Sequence, residues 1–389
     1  MIRELFQLTA SPTPELLALA DRTQLSLQLR GQPNLPDWFA AELETRHACN
    51  AVRRQQLREA YIEIAAVLTA HGIDFILLKG FTHEIGFGIE PSKRIQYDLD
   101  YLFAPEDLTR AQELVQGLGY IPHGDQSLSE EHSRPLIRPS TWQWRGDYFD
   151  TEIPIQVELH GTLWSPAKDR IDAPGLEDFW QRRGIVEVNG LKIPALAEPD
   201  RVAFAALHAL RHILRHDARP NHIHELARFL ETRAEDETFW QIWRDLYYPR
   251  LRMLQTIAFR FAHEWFASPW PAALEEEWSR VPRSIARWFE QFAWSPAENI
   301  ERPNKDTVWL HLALTKSAGD RASVFVDRLL PMRLPQREAS TPYAQSLRAR
   351  LRYHAAAFAP ALASGLRWWW RRETPSTASQ TSDWKRRSV

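Results

Sequence analysis

Phe75-Ile-Leu-Leu-Lys79-Gly80 and, further on, Arg94-Ile-Gln-Tyr-Asp98-Leu-Asp100-Tyr-Leu-Phe103 are the stretches whose reading decides the fold. The first, entered through Ile73 and Asp74, is short, apolar and stopped by a glycine, which suits a buried strand. The second reads as another strand, from Ile95 to Phe103, with polar residues set into it. Residues two apart on a strand share a face, so Asp98 and Asp100 point one way and Leu99 and Tyr101 the other. Two carboxylates held that close repel each other unless they are solvated or share a divalent cation. An Asp-x-Asp pair alone is commonplace at solvated strand ends, and Lys79 and Arg94, each taken singly, read as surface charges. Their order gives them weight. Gly80 permits close backbone approach to a phosphate, and Lys79 and Arg94 suit triphosphate oxygens.

Working outward, Ile153, Ile155, Val157 and Leu159 alternate with Gln156, Glu158 and His160, the pattern of a strand with one polar face. Glu158 is then a third carboxylate. If its strand neighbours that of Asp98 and Asp100, the three complete a site for Mg²⁺ (or Mn²⁺) that activates a hydroxyl and stabilises a leaving pyrophosphate. His160 shares the face of Glu158, where it serves either as a base or acceptor-orienting group or as structural support.

The rest of the chain reads as mostly helical. Thr13-Pro14-Glu15 has the chemistry of a helix start, and a long helical pattern from about Asp37 to Ala70 ends at Gly72. Pro105-Glu106-Asp107 opens a helix whose apolar face is Leu108, Ala111, Leu114, Val115 and Leu118. Residues 121–150 are loop-like, and Asn189-Gly190 centres a hairpin from Gly184 to Ile193. From Pro199 onward the pattern is helical and rich in tryptophan, with 17 in the chain, most of them expected to pack helices together. The expected organisation is a helical segment over 1–60, an αβ core over 61–194, a helical substrate or partner domain over 195–335, a basic-aromatic helix over 336–372 and a disordered tail over 373–389.

Composition narrows the function. With 389 residues, 44% hydrophobic and 25% charged, the chain is globular. A net charge of −2 argues against a protein that coats nucleic acid. One cysteine, Cys49, excludes an internal disulfide and a Cys-rich zinc motif. The N-terminus lacks the apolar run of a signal peptide, and no stretch approaches the roughly 20 apolar residues of a membrane span, so a cytoplasmic location is expected. His208, His212 and His216 recur at helical spacing, with His222 and His224 close behind. Without an acidic or Cys ligand nearby to complete a tetrahedron, a face of hydrogen-bonded histidines is the expectation over a zinc site, and His208 and His212 become candidates for contact with the acceptor. The basic-aromatic segment ending Trp368-Trp369-Trp370 reads as a helix packed on the domain, because consecutive tryptophans point around a helix rather than along one face.

The elements Leu78-Lys79-Gly80, Arg94-Ile-Gln-Tyr-Asp98-Leu-Asp100 and Val157-Glu158-Leu159-His160, in that order, resemble an uncharacterised bacterial nucleotidyltransferase family of the DNA polymerase beta-like superfamily. Leu207-His208 through His212, and His224-Glu225-Leu226-Ala227, resemble that family's helical half, and the resemblance covers roughly residues 55–235. It implies an α+β fold: a small mixed β-sheet core flanked by helices, with a large, mostly helical C-terminal part. It further implies transfer of a nucleoside monophosphate from an NTP, with ATP the first expectation, to a small-molecule, peptide or protein acceptor. Asp98, Asp100 and Glu158 would be catalytic metal ligands, and Lys79, Gly80, Thr82 and Arg94 would lie near the phosphates. The wider superfamily has Gly-Ser where this chain has Gly80-Phe81, with Thr82 next, and Glu158 stands where Asp is commoner. Those departures support one alternative to the enzyme, a degenerate module that binds a partner; a further alternative is an RNA-tailing enzyme, which the net charge disfavours.

Overall fold

Asp37–Ala70 forms one continuous helix, and Gly72, at φ +68°, lies just beyond its end. The structure is a computed structural model and describes residues 1–123, 133–329 and 347–370. Seven strands follow the long helix among these residues: β1 (Ile76–Leu78), β2 (Asp98–Leu102), β3 (Ile121–Pro122), β4 (Leu136–Ile137), β5 (Gln156–His160), β6 (Gly184–Val188) and β7 (Leu191–Ala195). The first five make one sheet in the order β1-β2-β5-β4-β3. β2 and β5 run parallel, and the other neighbours are antiparallel. β6 and β7 form the hairpin about Asn189-Gly190, both at positive φ, as a tight two-residue hairpin turn requires. The fold is therefore α+β, with a small mixed sheet and a mostly helical C-terminal part.

Alternation gives the sheet two unlike faces. Leu77, Leu99, Tyr101, Val157 and Leu159 bury one face against Leu57, Tyr61, Ile64 and Leu68 of the long helix and Ala111 and Val115 of helix Leu108–Gly117. The other face carries Asp98, Asp100, Gln156, Glu158 and His160, with apolar Ile76, Leu78 and Leu102 at its β1 side. Those three join the large core formed by the helical half. Helix Glu198–Leu214 lies at the centre of that half. Its interior positions from Asp200 to Arg211 are all buried, as expected of a helix apolar nearly all round. It packs against Pro220–Arg233 and Pro249–Phe266. The N-terminal helices Ile2–Phe6 and Pro14–Arg22 belong to the same core, not to the face covered by the long helix.

The tryptophans do pack helices. Trp243, Trp265 and Trp288 are fully enclosed, and each indole N–H reaches an acceptor: Gln255 Oε1, the Ala293 carbonyl and the Asp306 carbonyl. The basic-aromatic segment is a helix, Leu347–Trp370, docked through Trp368 on Trp309 and on the Ser284 carbonyl. The remainder of that segment, and the tail after it, lie outside the described residues. Two short strands, β3 and β4, occur where a loop was expected; at two residues each they are too short to show alternation. Among the described residues, no helix is long and apolar enough to cross a membrane.

A buried carboxylate ties the approach to the hairpin to the helical half. Asp200 accepts from Arg182 Nε and Nη2 at 2.8 and 2.9 Å and from the Tyr247 hydroxyl at 2.8 Å. Asp200→Ala leaves Arg182 and Tyr247 without their shared acceptor. We expect a loss of roughly 3–5 kcal/mol in urea denaturation; a loss under 1 kcal/mol would show that the contact is not structural.

Candidate active site

The parallel register of β2 and β5 sets Asp100 opposite Glu158 and Asp98 opposite Gln156. Both carboxylates of the sequence motif, and the third from β5, therefore occupy the face turned toward the helical half. The tightest convergence is Asp100, Glu158 and His160, whose ligand atoms lie within 4.8 Å of one another. Asp98 is not a member of that trio. His160 Nε2 sits 3.1 Å from Asp100 Oδ1 and 3.6 Å from Glu158 Oε2. The other oxygen, Asp100 Oδ2, takes the Lys79 ammonium at 2.9 Å.

Lys79 reaches Asp100 from a constrained turn. Its backbone, at φ 55° and ψ −154°, occupies a region essentially reserved for glycine, at a cost of roughly 1–3 kcal/mol. Thr82 holds the turn: its hydroxyl donates to the Lys79 carbonyl at 2.8 Å, and its own carbonyl accepts from Arg201. Gly80 follows at φ +56°, and a Cβ there would collide with the side-chain amide of Gln96. That amide is itself fixed, donating to the Asp98 carbonyl at 2.6 Å and accepting from Arg94 at 3.2 Å. Gly80 is thus required by close packing of protein on protein.

Arg94 and Thr82, expected near phosphates, already have protein partners. Thr82 is fully buried in the turn. Arg94 is buried with Nε 2.9 Å from Glu225 Oε1, an ion pair whose N–H is not aligned for a hydrogen bond. Glu225, on helix Pro220–Arg233, also meets His83 Nδ1 at 2.7 Å. His83 and Glu225 lie 142 residues apart, and no spacing rule connects them; the only signal was the His224-Glu225-Leu226-Ala227 run.

His208 lies beside the carboxylates. Its Nε2 is 3.1 Å from Lys79 Nζ and 3.3 Å from His212 Nε2. The expected third member of the helical stripe, His216, is elsewhere: the helix ends at Leu214, His216 turns to φ 60°, and its ring meets Thr307 Oγ1. His222, from the next helix, takes its place beside His208 and His212. A separate open groove of about 420 Å³ runs between the long helix and the hairpin, with Arg54, Arg58, Phe81 and Asn189 on its walls, and the carboxylates do not line it.

The electrostatics follow from this crowding. Burial pushes Asp100 up, but Lys79 and then His160 hold it well below the usual carboxylate range. Burial and the neighbouring Asp100 charge push Glu158 up to about 7, and the same two causes raise Asp98. Two of the three carboxyls are thus short of positive charge, a donor set that fits a hard divalent cation. His160, bonded to Asp100, is placed to orient that carboxylate.

Paired acids on β2, a third on the parallel strand and a lysine between them and the helices share one face of the sheet. Residues 14–267, well over half of the chain, match the family described as uncharacterised nucleotidyltransferase. The chain belongs to that family. No curated protein and no solved structure matches it at a significant level.

If the Lys79 backbone is strained, Lys79→Gly should be more stable than Lys79→Ala by about 1–2 kcal/mol in chemical denaturation, the reverse of the usual order. Burial pushes Glu225 up, but Arg94 and His83 hold it well below the usual range. Its stabilisation is therefore present above a pH of about 4.3 and lost as pH falls from there. Burial also lowers the His83 imidazole, so acidification through about 6.5 works in the same direction. Glu225→Gln should cost roughly 3–5 kcal/mol at pH 7, with the gap to wild type narrowing as pH is lowered from 5 toward 3; a gap constant with pH would contradict the ion pair.

Proposed function

We propose that this chain moves a nucleoside monophosphate from an NTP, ATP being the first candidate, to a hydroxyl, amine or phosphate of a small molecule, peptide or protein. The observation that carries the reading is the parallel register that puts Asp98, Asp100 and Glu158 on one face, with Lys79 on Asp100. Asp98, Asp100 and Glu158 would hold Mg²⁺ or Mn²⁺, which when bound supplies positive charge for the triphosphate and for the departing pyrophosphate.

The chain's own groups divide the remaining work. The acceptor's oxygen or nitrogen attacks the α-phosphorus, the bond to the bridging oxygen of pyrophosphate breaks, and a hydroxyl or amine acceptor must also lose its proton. Glu158, with 25% of its side chain exposed against 2% for Asp100, is the carboxylate placed to take that proton. Lys79 offers its ammonium to phosphate oxygens at the cost of its bond to Asp100. His160 keeps Asp100 oriented. The acceptor enters from the helical half, where His208 borders Lys79 and His212 stands next to His208. A place in the polymerase beta-like superfamily and residence in a reducing, cytoplasmic compartment belong to the same proposal.

A second reading is a non-catalytic module that binds a partner. It is favoured by one observation: Phe81 is buried where a phosphate-binding serine would stand, and the Thr82 hydroxyl is committed to the Lys79 carbonyl. The two readings separate in a transfer assay with α-labelled NTPs, Mg²⁺ and a cell extract. An enzyme labels an acceptor, and Asp98→Asn/Asp100→Asn lowers transfer at least about a hundredfold, with folding checked by circular dichroism. Absence of both transfer and Mg-NTP binding in the wild-type protein would leave the binding module.

A further inference from the structure

The geometry points to a second metal centre, of the zinc class, built from His208, His212 and His222 where helices Glu198–Leu214 and Pro220–Arg233 meet. It uses none of the carboxylates on the sheet, adjoins them only through Lys79, and does not depend on the nucleotidyl-transfer reading.

The hydrogen-bonding pattern leaves an unresolved conflict that a cation would settle. His212 Nδ1 lies 3.2 Å from Asp217 Oδ2, so that nitrogen carries the proton and a neutral ring presents its Nε2 lone pair. Asp217 is fixed in turn by Arg219, at 2.9 and 3.1 Å. His208 Nε2 lies 3.1 Å from the Lys79 ammonium, which has only protons to offer, so His208 also presents a lone pair there. These two Nε2 atoms face each other at 3.3 Å. Two lone pairs at that distance repel.

A metal ion removes the conflict. Zinc–imidazole bonds are about 2.0–2.1 Å long, so two tetrahedral ligands stand about 3.3–3.4 Å apart. The separation of His208 Nε2 and His212 Nε2 matches that edge. The third ligand comes from His222, whose ring centre is 4.8 Å from that of His208 and 5.5 Å from that of His212. Its Nδ1 is buried with no hydrogen-bond partner, an expensive state for a ring nitrogen unless something occupies it. Ligand atoms of all three residues lie within 4.8 Å of one another, so a modest ring movement closes the set.

Asp217 on the far nitrogen of His212 supplies the carboxylate–histidine support typical of metal-bound imidazole. The acid absent from the helical stripe itself comes from the turn just after it. Imidazole donors select Zn²⁺, Co²⁺ or Ni²⁺ over Mg²⁺. The single Nε2 lone pair of His208 now faces the Lys79 ammonium, so metal binding requires Lys79 to withdraw from His208, and three histidines then leave a fourth position on that side.

The test uses the full chain, stripped with a chelator and titrated with Zn²⁺ or Co²⁺ alone. One equivalent of Zn²⁺ should bind at micromolar concentration or below, and Co²⁺ should show the intense visible bands of a four-coordinate site. His212→Gln and His222→Gln should abolish both signals. Asp217→Asn, at a half-exposed position that leaves the fold intact, should weaken zinc roughly 10–100-fold. Asp98→Asn/Glu158→Gln, which leaves the Lys79–Asp100 pair in place, should still bind one equivalent of zinc, which separates this centre from the carboxylate site. The proposal is overturned if wild type takes up no stoichiometric zinc, if the histidine and Asp217 variants bind like wild type, or if zinc is lost with the carboxylates instead.

Discussion

Negative charge on the polar face of the sheet is the constraint that the rest of the structure answers. Asp98, Asp100 and Glu158 come from two adjacent parallel strands and cannot all ionise there without compensation. Lys79 supplies part of it, and reaching Asp100 obliges its backbone to leave the conformations open to ordinary residues. Holding that conformation takes Thr82, whose carbonyl in turn takes Arg201 from the central helix. Letting Gln96 fit against the turn takes a glycine at position 80. The positive charge of Arg94, just before β2, is matched from the helical half by Glu225, which also meets His83. Each answer recruits a residue from farther along the chain, so sheet and helices form one electrostatic unit.

What could be read from the sequence was whatever repeats with a short period. Alternation around Asp98 and Asp100, and again around Glu158, placed three carboxylates on polar strand faces. Helical spacing gave Asp37–Ala70, and Asn189-Gly190 gave the hairpin. What could not be read was which neighbour would claim each polar group. Arg94 and Thr82 have the chemistry of phosphate ligands, but Glu225 from the helical half takes Arg94 and the Lys79 carbonyl, three residues back in the turn, takes Thr82. His216 keeps the helical spacing of His208 and His212, yet the helix ends two residues before it. His222 and Asp217 become relevant only once the chain reverses between the two helices.

Two donor sets of different hardness therefore meet at one lysine. Oxygen donors gather on the sheet, nitrogen donors on the helices, and the ammonium of Lys79 touches one member of each, Asp100 and His208. A single fixed charge acts on the two sets in opposite senses. It favours the ionised form of Asp100 and disfavours the protonated form of His208. The carboxylates in turn hold the lysine charged against the pull of burial, so the arrangement is self-consistent. The result is an anionic donor beside a neutral imidazole donor within reach of the same side chain. Those are the states in which each kind of group binds a cation best. The strain stored at Lys79, roughly 1–3 kcal/mol, is smaller than the 3–5 kcal/mol typical of leaving a buried charge unpaired. That difference is why an L-residue can stand where the backbone asks for glycine.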